Sequence, residues 1–181
     1  MSSFANRVAR AIRLDATVYE EIEHDPGALP QAMLTVAISS VATGIGIASS
    51  LGMPGLFWGL LVAFLAWVFW AAIIFFVGTR LLGTSNTKTD MGELLRVIGF
   101  ASAPGFFRIL GAFAPIQNIV FWVTGIWMLA AMIVAVRQAL DFSSTARAVG
   151  VCVAGWLIQM LIAVLLVKII EIFYATGYPV A

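Results

Sequence analysis

Three charged side chains fall inside stretches that are otherwise apolar, and any chemistry would have to begin there: Arg108, Lys168 and Glu171. A charge in hydrocarbon is costly, so such residues usually face a bundle interior, pair with one another, or mark an ion or proton path. Lys168 and Glu171 stand three residues apart, the spacing at which two side chains of one helix meet. Arg108 lies about as far ahead of the turn that follows it as Lys168 lies ahead of Tyr174, which places the two at a common depth. A polar cluster of Arg108, Lys168 and Glu171, with Gln159 nearby, would make a cavity or proton route between the third and fifth apolar segments. The plainer alternative is that both cations snorkel to the headgroups and that Gln159 makes a helix–helix hydrogen bond.

Other constellations are poorer. The sole histidine, His24, sits among Glu20, Glu21, Glu23 and Asp25, but consecutive carboxylates diverge around a helix and Cys152 lies in another segment. These acids therefore read as a solvated face and a candidate docking surface for a basic partner, with no metal and no cofactor implied. The chain offers no nucleophile–base pair, no glycine-rich phosphate loop and no zinc spacing, so an enzyme has nothing to rest on. Net charge is +1 with no basic tract, which excludes nucleic acid as a partner.

The elements that must position these groups are membrane helices. Hydrophobic residues make up 62% of the chain and charged residues 10%, against roughly 45–50% apolar in ordinary soluble domains. Four uninterrupted runs reach the roughly 20 residues needed to cross the hydrocarbon core: residues 29–51, 55–82, 119–136 and 146–174. A fifth, residues 90–113, is broken at Pro104-Gly105, because proline removes a helical hydrogen bond and glycine loosens the same place. The fold class is all-α: a polytopic bundle of five transmembrane helices, the third one kinked or split. Small residues recur at four-residue intervals, Ser40, Gly44 and Ala48 in the first span and Gly55, Gly59 and Ala63 in the second, and predict close packing of these two helices.

Residues 1–25 form a cytoplasmic segment ahead of the spanning domain at 26–181. Within it Phe4, Val8 and Ile12 make an apolar stripe, with Arg7, Arg10 and Arg13 on the other arc, as in a helix lying in the headgroup layer. Asp15 is placed to cap a second helix whose Glu20, Glu21 and Glu23 face water. Residues 1–14 lack the apolar core of a cleavable signal peptide, so the first span should act as its own insertion signal. Lysines and arginines gather in the N-terminal segment and in the second-to-third and fourth-to-fifth connections, so the positive-inside rule puts the N-terminus in the cytoplasm and the C-terminus outside.

Three passages, LDATVYEEIEHDP, the polar loop leading into ELLRVIGFASAPGFF, and WMLAAMIVAVRQALDFSSTARAV, resemble the Yip1-domain membrane proteins in their compact prokaryotic form. That resemblance implies five spans, a cytoplasmic N-terminus, the inner membrane as location, and a non-enzymatic role in organising or accompanying other membrane components, with lipid, other membrane proteins or a second copy as partners. Eukaryotic members act in vesicle traffic, bind prenylated Rab GTPases and influence membrane shape. This chain lacks their long soluble N-terminal domain and their Asp-Leu-Tyr-Gly-Pro signature, so GTPase binding is not carried over. The competing reading is a small-solute or proton transporter built on Arg108, Lys168 and Glu171.

Overall fold

A computed structural model describes residues 2–47, 52–84 and 87–175. Ordered along the chain, its α-helices are α1 (Phe4–Ile12), α2 (Ala16–Glu23), α3 (Leu29–Ile47), α4 (Gly52–Phe76), α5 (Met91–Ala101), α6 (Gln117–Ala139) and α7 (Thr145–Ala175). Five segments are long and apolar enough to cross a membrane, Pro26–Gly46, Trp58–Leu81, Met91–Ala112, Ala114–Ala139 and Thr145–Ile169, as the hydropathy pattern predicts. The expected cap at Asp15 is present, accepting from the Thr17 N–H at 2.9 Å, and Asp90 and Glu93 form a reciprocal capping box with both bonds at 2.8 Å.

The broken span is the centre of the bundle. α5 stops at Ala101 and the chain continues as a 3-10 helix, Ala103–Ala112, with Pro104 in its first turn, where the missing N–H does least harm. Runs of 3-10 helix are ordinarily three or four residues long, and irregular backbone at membrane depth is tolerated only where protein covers it. Here 61% of the third span is buried, against 17% of the fifth, so its weak backbone is shielded by its neighbours. α3 packs along one side of it and α6 along the other.

Glycines permit that contact. A side chain at Gly46 would collide with the carbonyl of Arg108, and one at Gly105 with the hydroxyl of Ser39. The intimate pair is thus α3 with the third span, whereas the small-residue spacing predicted α3 with α4. At Gly59 an added methyl group would meet nothing within 4 Å among the described residues. Ser40, Gly44, Gly59 and Ala63 line an open space between their helices. Gly55 begins that stripe inside α4, and Ala48 lies outside the described residues.

The N-terminal helices are docked on this core. Val8, Ala11, Val18, Tyr19 and Ile22 join one apolar cluster with Ala32, Val97, Phe100 and Ala131. Trp127 of α6 donates to the Ile12 carbonyl at 2.8 Å, and Phe4 packs on Phe100 with ring centroids 6.2 Å apart. Arg7, expected on the polar arc of α1, is instead 1% exposed. It donates to Glu21 at 3.1 Å, Asp25 at 2.7 Å and Gln31 at 3.3 Å, so one guanidinium ties α1, α2 and the start of α3 together. Arg96 of α5 donates to the carbonyls of Ile22 and Glu23, closing the C-terminal end of α2, whose last carbonyls have no helical partner.

Two outcomes follow. Gly46→Ala should destabilise the detergent-solubilised protein by about 1–3 kcal/mol because a backbone carbonyl cannot move aside, while Gly59→Ala should be neutral within about 0.5 kcal/mol; equal thermal-denaturation shifts would contradict this packing. Arg7→Ala should cost about 1–3 kcal/mol by emptying a buried site and leaving the part-buried Glu21 and Asp25 without their shared partner, and Arg13→Ala, at an exposed position, nearly nothing.

Candidate functional site

A cavity of about 500 Å³ opens between α3 and α4. Its walls are largely apolar, with Val36, Leu60, Trp67, Ile98 and Met128 among them, but its polar groups come from four different segments: Ser39, Ser40 and Thr43 on α3, Ser102 after α5, Arg108 on the 3-10 stretch, and Gln159 on α7. Each gets there for a local reason. The Ser40 and Thr43 hydroxyls donate to Val36 and Ser39 carbonyls one turn back, both at 2.8 Å, which satisfies them within α3 while leaving lone pairs on the cavity side. Arg108 arrives because the 3-10 winding after Pro104 turns it toward α3 and α6.

The arginine is held by neutral groups. Its Nε donates to the Thr124 hydroxyl at 3.3 Å and its Nη1 to the Thr43 hydroxyl at 3.4 Å, and the Phe121 ring lies 5.3 Å from its guanidinium carbon. Behind Met128 and Met132 a second, more apolar space of about 430 Å³ reaches Cys152 and Trp156. Trp70 borders both spaces, and its buried indole N–H has no hydrogen-bond partner among the described residues.

The expected cluster of Arg108, Lys168 and Glu171 is not assembled. Lys168 and Glu171 do pair, at 2.7 Å, but on the exposed side of α7, with side chains 66% and 58% accessible. The shared depth inferred from the sequence ignored the azimuth around α7, and of Gln159, Lys168 and Glu171 it is Gln159 that lines the cavity. Thr43 and Thr124 are the site residues that sequence reasoning missed. An intramembrane arginine needs acceptors, and a hydroxyl on a neighbouring span was the available signal.

The acidic stripe is also corrected. Glu20 is exposed, but Glu21 receives bonds from Ser2, Arg7 and Arg10, Asp25 binds Arg7, and Glu23 is 5% exposed. The flip of charge sign between α1 and α2 is a folding code between two helices, not a free docking face. Hydrogen bonds from Ser2, Arg7 and Arg10 hold the Glu21 carboxyl down at about 2, and Arg10 with Thr17 does the same for Asp15. Burial, reinforced by the charges of Glu93 and Asp141, pushes Glu23 up to about 7. His24, whose Nδ1 donates to the Glu20 carbonyl, is raised as well. Among the described residues no group of acids, histidine and cysteine is arranged to hold a metal.

Opposite pH responses result. Glu21 and Asp15 contribute stability above their unfolded values, and it is lost as pH falls through about 2. The contribution of Glu23 is complete below 4.5 and disappears as pH rises through about 7, since the fold favours its neutral form. The melting temperature should therefore decline across that upper window, and Glu23→Gln should shallow the slope, with His24 supplying the remainder; an unchanged slope would place Glu23 in water.

A family model, the Yip1 domain, matches residues 15–167. No curated protein matches the chain. Nor does any solved structure. With five apolar spans and a match that runs from α2 into the last of them, the chain belongs to the Yip1 domain family of membrane proteins.

Proposed function

We propose that the protein is a non-enzymatic accessory component of the prokaryotic inner membrane, N-terminus in the cytoplasm, which organises other membrane constituents by holding them against its intramembrane surface. The observation that carries this is the open space beside Gly59, where two helices with small-residue faces stand apart and leave a polar-floored cavity. Empty volume in hydrocarbon is filled by whatever the membrane supplies, so a lasting gap of this size favours a resident partner. Family membership supports an integral membrane protein with partners in the bilayer.

The working surface therefore moves from the cytoplasmic acids to the cavity. Glu21 and Asp25 are committed to Arg7, and Glu23 is buried, so of the four acids in that stripe Glu20 is the one left exposed for a basic partner. The transporter reading loses its cluster, because Lys168 and Glu171 form their own exposed pair. A photo-crosslinking residue placed at Gly59 or Ala63 in native membranes should yield discrete adducts, and the same residue at Glu20 should not. Adducts confined to Glu20 would return the contact surface to the cytoplasm.

A further inference from the structure

We propose that the cavity between α3 and α4 is a binding site for one anionic phospholipid, with the phosphate on Arg108 and an acyl chain lying along α4 toward Trp67 and Trp70. This rests on the reading of that cavity as the working surface and names its occupant.

Charge is the first argument. All nine aspartates and glutamates of the sequence lie in described residues, and none pairs with Arg108. Arg7 has two carboxylates, and Arg96 has two backbone carbonyls at the C-terminal end of α2, the negative end of that helix. Arg108 has two hydroxyls at the long end of hydrogen-bond distance. A guanidinium carries five N–H donors in a planar fork, so three have no acceptor among the described residues, and the fork suits phosphate oxygens. The Phe121 ring supports the cation without neutralising it.

Shape is the second. Arg108 lies near the end of the bundle where α3 finishes and α6 begins, marked by the bond from Gln117 to the Gly46 carbonyl at 2.7 Å. From Gly59 to Trp70 the α4 wall runs about 16 Å, roughly half of a 30 Å hydrocarbon core, which is the reach of one leaflet. The Thr43 and Thr124 hydroxyls stand at the cation, while Leu60, Ala63, Ala66 and Trp67 line the apolar wall. Head and tail of a glycerophospholipid would thus meet the matching chemistry in the right order. A partner helix would fill the apolar length but bring no anion to this depth.

The test is native mass spectrometry of the full chain in mild detergent, titrated with phosphatidylglycerol or phosphatidylcholine. Phosphatidylglycerol should bind at least roughly tenfold more tightly, and Arg108→Gln should abolish that preference while leaving phosphatidylcholine binding unchanged. Gly59→Leu, which fills the open space without touching Arg108, should weaken both lipids. Lys168→Gln, an exposed cation on the lipid side, should change neither. Millimolar inorganic phosphate should fail to displace the lipid. Retention of the preference in a folded Arg108→Gln protein, an equal loss in Lys168→Gln, or displacement by phosphate with no effect of Gly59→Leu would each overturn the proposal. Should Arg108→Gln not fold, Arg108→Lys keeps the charge without the fork, and no loss of preference there, together with wild-type binding in Gly59→Leu, would also refute it. Crosslinks from Gly59 to a protein alone would refute the lipid and spare the organising role; no adducts there at all would refute both.

Discussion

The structure depends on hiding the backbone of residues 103–112 from lipid. A 3-10 stretch of that length inside a bilayer has poorer hydrogen bonds than an α-helix, and hydrocarbon offers no water to compensate. Only protein can cover it, so α3 and α6 close over it and the third span becomes the most buried of the five. The consequence spreads outward. Because α3 turns its glycine at position 46 to the third span, it cannot also press its small residues against α4, and the space beside Gly59 is what remains.

The N-terminal helices answer the same demand at the other end. α5 enters the bundle behind its capping box and meets α2, where Arg96 closes the last carbonyls of that helix. Arg7 then locks α1 across α2 through two carboxylates. Buried ion pairs are weak evidence for net stability, since desolvation offsets much of the attraction, but removing one partner is costly and the geometry admits one arrangement only. These residues act as a register device that seats α1 and α2 on the bundle.

Much of this was legible in the sequence. Span number, the break at Pro104-Gly105, the cap at Asp15, and the pairing of Lys168 with Glu171 all depend on spacing within one segment, which a linear pattern records. What was not legible depends on azimuth between segments. The four-residue spacing of Ser40, Gly44, Gly59 and Ala63 looks the same whether the helices touch or stand apart. Arg7 and Arg13 both sit on the charged arc of α1, six residues apart, and only the direction from which α2 approaches makes one buried and the other exposed. Depth along the chain likewise placed Arg108 level with Lys168 but could not tell that α7 presents Gln159 inward and the lysine outward.

The three arginines that point into the protein show how unevenly the bundle is finished. At the N-terminal end, where α1 and α2 add carboxylates and helix-end carbonyls, Arg7 meets two carboxylates and Arg96 two carbonyls at the negative end of α2. At the far end α3, α6 and the 3-10 stretch offer only hydroxyls and a ring, and Arg108 is left with a surplus of donors beside an open cavity. A cation with no carboxylate beside it is expensive in hydrocarbon. One end of the bundle is therefore complete in itself, and the other has the electrostatics of a surface that is completed by the membrane around it.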